Sequence, residues 1–274
     1  MNQITLKTPS FEFAGIWPLV TATVEGVSGN YLIDNGVPTL VLNSRYDHAQ
    51  SMPAQAFSAS GELQDIKTRL VSHFEFEDLR LGNQMALVMD LSHFEKETNT
   101  IIHGIIGASV LFSRDLLLNY SKKQVGALEL DPPGLLESLA RVLIGEYHTI
   151  PFQMANHLPV IPIRIGEKKL NMALYMGLAV NTINLAHKEY VQQSGLLSGA
   201  APATIMGLST VKNVTAYSML SSVVGMGGDV PLGSMKFAFD DISMPGANID
   251  GMLGYEFFAQ RVSIARFNRR ELVC

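Results

Sequence analysis

The sequence predicts an all-β chain made of two copies of one unit, with a few short helices. Two observations carry this reading. Runs of β-branched and aliphatic residues, broken by glycine- and asparagine-containing turn clusters, fill most of the chain. The same two blocks of residues also occur twice, in the same order.

The first block, FEFAGIWPLVTATVEGVSGNYLIDNGVPTLVLN from Phe11 to Asn43, aligns without a gap on FQMANHLPVIPIRIGEKKLNMALYMGLAVNTIN from Phe152 to Asn184, at an offset of 141 residues. Phe11, Ala14, Pro18, Asn30, Gly36 and Asn43 recur as Phe152, Ala155, Pro159, Asn171, Gly177 and Asn184, and the apolar positions match over most of the length. The second block starts at His103 and again at Asp250. It shares two glycines flanking two aliphatics (Gly104 to Gly107; Gly251 to Gly254), then an arginine (Arg114; Arg261). Each copy ends in an aromatic followed by a basic pair, Tyr120 with Lys122 and Lys123, and Phe267 with Arg269 and Arg270. Two homologous lobes follow, residues 10–130 and 150–274, with 131–149 as connector. There, Asp131-Pro132-Pro133-Gly134 stops the preceding strand, and Leu135, Leu136, Leu139, Val142 and Leu143 at helical spacing predict a short amphipathic helix packed on a lobe.

Within each lobe the elements follow from local pattern. Pro18 to Glu25 reads as a strand, Gly26-Val27-Ser28-Gly29 as a turn, and Asn30 to Ile33 as the returning strand; Gly166-Glu167-Lys168-Lys169 has the same turn role in the second copy. Thr39 to Leu42 and Val160 to Ile165 favour strands. Between residues 55 and 100, the alternation from Phe74 to Leu81 predicts one strand of a hairpin that closes over a cleft, and residues 203–240 hold the same place in the second lobe.

Composition narrows the function classes. Of 274 residues, 47% are hydrophobic and 16% charged, which supplies a core and excludes a disordered chain. The formal charge of −5, without basic clusters, leaves no electrostatic footprint for nucleic acid. A single cysteine, Cys274, excludes a disulfide framework and a multi-cysteine metal centre. The seven histidines (His48, His73, His93, His103, His148, His157 and His187) show no metal-ligand spacing, so no metal and no cofactor is expected. Gly225-Met226-Gly227-Gly228-Asp229 lacks the Lys-Ser/Thr of a phosphate loop and reads as a mobile loop or hairpin. No G-x-S-x-G elbow occurs. Methionines such as Met206, Met219, Met226 and Met235 read as core filling, with an adaptable surface as the alternative. No apolar run reaches membrane-spanning length. The start MNQITLKTPSFEF has no basic-then-apolar signal, so a cytoplasmic location is expected, or export if a signal was trimmed.

One loop carries chemistry. Tyr31-Leu32-Ile33-Asp34-Asn35-Gly36 resembles the aspartic-peptidase loop, two hydrophobics followed by Asp-Thr/Ser-Gly, and the elements at Gly104–Gly107 and Gly251–Gly254 resemble the distal element that pairs with it. Together the two halves resemble the retropepsin-like (pepsin/retropepsin) aspartic peptidases in their bacterial two-lobe form. The resemblance implies a bilobal aspartic-peptidase-like fold with a cleft between the lobes and a peptide or protein as ligand. Such enzymes set two carboxylates side by side, sharing one proton, so that one activates water and the other protonates the peptide carbonyl.

This sequence departs from that pattern. Asp34 stands where the first catalytic aspartate belongs, but the equivalent position of the second lobe is Tyr175, in Leu174-Tyr175-Met176-Gly177. A phenol, with an ordinary pKa of about 10, cannot be the low-pKa half of a carboxylate pair. The family's Thr/Ser is Asn35 in one loop and Met176 in the other. Asp34 is therefore a catalytic candidate whose partner is missing, and Asn35, Gly36, Tyr175 and Gly177 are candidate substrate-binding residues. Asp250, before Gly251, reads as structural, with His103 as its counterpart. Three functions remain open: a pseudopeptidase that binds an extended peptide, an active aspartic endopeptidase that completes its dyad with a second carboxylate by pairing two copies of Asp34 in a homodimer, and an assembly module with a vestigial cleft.

Overall fold

The structure, a computed structural model, describes residues 11–58, 61–63, 65–128, 134–208, 211–219, 223–225, 230–242, 244 and 246–274. Residues 131–133 and 226–229, and the side chain of Met206, lie outside that description. Three principal sheets organise the chain. The first takes its strands from residues 12–106, in the order Leu79–Leu81, Phe74–Phe76, Trp17–Val24, Val27–Ile33, Gly104–Ile106, Leu40–Asn43, Gln84–Met89, Lys67–Val71 and Met52–Pro53. The second runs Leu197–Met206, Val211–Met219, Met235–Asp240, Asn181–Asn184, Gly251–Leu253, Lys168–Leu174, Leu158–Ile165, Val223–Gly225 and Val230–Pro231.

The duplicated blocks occupy equivalent places in these two sheets. Gly104–Ile106 lies parallel to Val27–Ile33 and antiparallel to Leu40–Asn43; Gly251–Leu253 lies parallel to Lys168–Leu174 and antiparallel to Asn181–Asn184. Leu40–Asn43, Gly104–Ile106 and Gly251–Leu253 are buried on both faces and read as short apolar runs, whereas Trp17–Val24 nearer the edge alternates.

A third sheet joins the halves, in the order Gln124–Leu128, Asp115–Asn119, Val262–Arg266, Glu271–Val273 and Thr149–Pro151. Its central pairing, Leu116 opposite Ala265 through Asn119 opposite Val262, ties one lobe's strand to the other's. Ring contacts repeat across it: Phe112 stacks on Phe267 and Tyr120 on Phe258. No helix among the described residues is long and apolar enough to cross a membrane.

Some local expectations shift. Both hairpin turns are two-residue loops, Glu25-Gly26 and Gly166-Glu167, so the strands resume at Val27 and Lys168. Glu25 and Gly26 both have positive φ, the twist that suits a tight hairpin. Phe74 to Leu81 is not one strand of a closing hairpin. It breaks at Glu77, which has φ 53°, into a small hairpin paired to the edge of Trp17–Val24. The helix Leu135–Leu143 packs on the joining sheet rather than on one lobe, because its apolar face meets Leu117 and Ile264, one from each half. Val142, read from spacing as part of that face, is 81% exposed, while Leu139 is 3% exposed.

That difference is measurable. Leu139→Ala is expected to lower stability by about 2–4 kcal/mol through lost burial and an unfilled cavity. Val142→Ala should change it by no more than about 0.5 kcal/mol, and urea unfolding midpoints check both.

Candidate functional site

Each candidate loop leaves its strand at the point where the Gly-x-x-Gly strand can hold it. Asp34 N–H donates to the Ile106 carbonyl at 3.1 Å, and Tyr175 N–H to that of Leu253 at 2.8 Å. On the other side of each loop, Ala108 N–H donates to Val37 at 2.9 Å and Tyr255 N–H to Leu178 at 2.7 Å. The two sequence motifs therefore belong to one unit, made twice.

The two loops meet across the interface, each residue seated on the other's glycine. A Cβ on Gly177 would lie 2.1 Å from Asp34 Oδ2, and one on Gly36 would lie 1.6 Å from the Tyr175 ring. Only glycine leaves room for the opposing side chain at either place. Gly36 N–H also donates to Asp34 Oδ1 at 2.7 Å. The structure thus brings Asp34, Asn35, Gly36, Tyr175 and Gly177 together, with the phenol in the seat equivalent to that of the carboxyl.

Asn35 ties the two loops together through both ends of its carboxamide. Its Nδ2 donates to the Leu174 carbonyl at 2.8 Å, and its Oδ1 accepts the Met176 N–H at 2.8 Å. A carboxamide both donates and accepts, so one buried side chain serves two backbone groups of the opposite loop. Met176 contributes its backbone, while its thioether side chain is buried in the core.

Two further ties were not evident from sequence. Trp17 Nε1 donates to the Gly177 carbonyl at 3.0 Å, and His157 Nε2 lies 2.9 Å from the Gly36 carbonyl. They perform the same task from opposite lobes, yet Trp17 aligns with Leu158 and His157 with Ile16. No aligned pair marks them; the one usable signal was that Trp17 is the single tryptophan of the chain.

Burial dominates the electrostatics. Asp34 is 4% exposed, and desolvation pushes its pKa up to about 7, against the stabilising effect of the Gly36 and Gly177 N–H groups. Tyr175 is pushed well above the ordinary phenol value by burial and then by the Asp34 charge. Tyr120, a second phenol affected by that charge, is also pushed up, mainly by burial, and its hydroxyl has no hydrogen-bond partner among the described residues. Burial lowers the His157 pKa while the Gly36 carbonyl pulls it up. A neutral ring donating from Nε2 accounts for that contact. Asp34 can accept or release a proton near neutral pH; Tyr175 keeps its proton there and can only donate or accept hydrogen bonds.

Asp250 and His103 act as equivalent anchors in the two sheets. The Asn30 N–H donates to His103 Nδ1 at 3.0 Å, and the Asn171 N–H to Asp250 Oδ2 at 2.8 Å. His187 Nε2 completes the second anchor, 2.8 Å from Asp250 Oδ1. Among the described residues no group of three His, Cys, Asp or Glu side chains could hold a metal ion.

No family model matches the chain, and no curated protein matches it. Among solved structures it is similar to conglutin gamma, a basic 7S globulin from lupine seeds. The TM-score is 0.54 and the identity 10%, over 97% of this chain and 93% of that one. It is also similar to the basic 7S globulin from soybean, with a TM-score of 0.53 and 10% identity over 96% and 92% of the two chains. These likenesses bear on the fold, which is all-β, bilobal and aspartic-peptidase-like.

The buried carboxyl makes stability depend on pH. Unfolded, Asp34 has an ordinary pKa of about 3.9; folded, it titrates at about 7. Between these values the folded chain keeps a proton that the unfolded chain has released, so this contribution to stability falls as pH rises through the window. Asp34→Asn is expected to be more stable than the parent above about pH 7, by up to about 4 kcal/mol, with the difference vanishing below about pH 4. Urea unfolding across that range checks it, and a pH-independent difference contradicts it.

Proposed function

We propose that the chain is a peptide-binding pseudopeptidase of the retropepsin-like, two-lobe kind, holding an extended peptide between the lobes without hydrolysing it. One observation carries the reading: the phenol of Tyr175 sits on Gly36 as the Asp34 carboxyl sits on Gly177. A carboxylate dyad works because its two members can exchange the roles of base and acid near one pH. Here one member is a carboxyl and the other a phenol held protonated by burial and by its acidic neighbour. The terminal strands Met52–Pro53 and Leu197–Met206 offer sheet edges to which an extended peptide can add by backbone hydrogen bonds.

Against the alternative of an active enzyme completed by a second copy stand the ties between the lobes. To bring a second Asp34 to the first, Tyr175 would have to leave Gly36. That would break both Asn35 bonds, the Trp17 and His157 contacts and the pairing of Asp115–Asn119 with Val262–Arg266. The same experiment distinguishes the assembly role.

The test is incubation with a diverse peptide library at about pH 4 and about pH 7, spanning the range over which Asp34 titrates, with mass spectrometry of retained and cleaved peptides. Wild type is expected to retain peptides intact. Tyr175→Asp is expected to cleave them at acid pH, with the activity lost when Asp34→Asn is added. Wild-type cleavage abolished by Asp34→Asn establishes the active alternative; no retained peptide at either pH favours the assembly role.

A further inference from the structure

We propose that one face of the second-lobe sheet, beside the Asp250 anchor, is a binding site for a small acid whose carboxylate is flanked by hydroxyl or amide groups. The proposal does not depend on whether the space between the lobes takes a peptide.

The site is a pocket of about 420 Å³ with a sheet for its floor and a loop for its wall. In the strand register Gln153 lies opposite Val160, and Pro162 opposite Asn171. Residues two apart in a strand share a face, so Gln153, Val160, Pro162, Asn171 and Lys169 stand on one side of three adjacent strands. Loop 246–248 forms the wall. It is fixed against the floor at two points: the Asp250 N–H donates to the Asn171 carbonyl at 2.8 Å, and Ala247 packs in the cluster that contains Val160. The pocket is therefore formed before any ligand arrives, and its size suits a small molecule.

The polar residues of the pocket select the ligand. Lys169 brings an ammonium group, and Gln153, Asn171 and Asn248 bring carboxamides. None of these four side chains has a hydrogen bond or ion pair among the described residues. No aspartate or glutamate lines the pocket among those residues, and Arg164 stands opposite Lys169 on the same face. An ammonium without a neighbouring carboxylate favours an anion. Carboxamides both donate and accept, which matches hydroxyl or amide groups beside that anion. Val160 and Pro162 offer apolar surface to the carbon skeleton.

The first lobe shows the same corner closed. Its anchor is built alike, with the His103 N–H donating to the Asn30 carbonyl at 2.7 Å. Ile101 stands two residues before His103, as Asn248 stands two residues before Asp250. In the first lobe Asn30 Nδ2 donates to the Ile101 carbonyl at 3.2 Å, so the carboxamide is used to join strand and loop. The equivalent Asn171 makes no such bond and lines the pocket together with Asn248. The charge differs as well. Glu12 and Ser28 hold the positions equivalent to Gln153 and Lys169, so the first-lobe corner carries an acid where the second carries a base.

A sugar acid and a peptide C-terminus both present this chemistry, and the experiment separates them. Glucuronate and N-acetyl-dialanine are titrated into the full chain, each beside its neutral counterpart, glucose and the dipeptide's C-terminal amide. Heteronuclear NMR follows the amide signals of Gln153, Asn171 and Asn248. At least one of the acids is expected to shift them saturably, with a Kd of about 1 mM or tighter, and the one that does identifies the source. Its neutral counterpart should bind at least about tenfold more weakly, and so should the acid itself to Lys169→Gln or Gln153→Glu, with signals outside the pocket confirming the fold. Lys122→Gln, which removes an exposed charge elsewhere, should bind as wild type does. The proposal is overturned by any of four results: no saturable shift with either acid, a neutral counterpart that binds equally well, Lys169→Gln that binds like wild type, or inorganic phosphate that produces the same shifts at the same concentration.

Discussion

The organisation of this protein depends on a reciprocal contact: the Asp34 carboxyl lies on Gly177 while the Tyr175 ring lies on Gly36. Neither glycine has space for a Cβ, so the two loops can close on each other only with these residues in place. Both loops are held by the Gly-x-x-Gly strands and the short helices that follow them. The joining sheet holds the two lobes in register, so that the loops meet at all.

The backbone has kept its twofold character where the side chains have not. Equivalent amides bond to equivalent carbonyls in each lobe, whereas the groups that clamp the loops together differ. Asn35 bridges in one direction only, and a tryptophan and a histidine from non-equivalent positions secure the opposing glycines. Backbone hydrogen bonds are obligatory for any buried strand, so they constrain both copies alike. Side-chain ties are interchangeable provided each buried carbonyl finds a donor. The two loop tips differ by the same logic. A phenol fills the seat equivalent to that of the Asp34 carboxyl and keeps the packing closed, so only one of the two seats holds a group that titrates near neutral pH.

The repeat, the paired motifs and the five residues that meet between the loops were all legible in the chain, because each depends on residue type at fixed spacing. The His103 and Asp250 anchors were legible as counterparts for the same reason. Features that depend on what packs against an element were less so. Val142 fits the apolar spacing of its helix yet faces solvent, while Leu139 before it and Leu143 after it take the contacts with the joining sheet's cluster. Phe74 to Leu81 alternates as a strand would, but a hairpin split at Glu77 alternates just as well. The contacts of Trp17 and His157 cross between lobes and leave no local pattern.

By itself, the sequence determined a duplicated all-β chain with one acid and one phenol at equivalent loop positions, because strand periodicity and turn chemistry are local properties. Only the tertiary structure decided that those two side chains share an interface, that burial brings Asp34 toward neutrality, and which groups fasten one lobe to the other. Desolvation and cross-lobe hydrogen bonding belong to distances in space, and residues 141 or 160 positions apart in the chain have no means of declaring them.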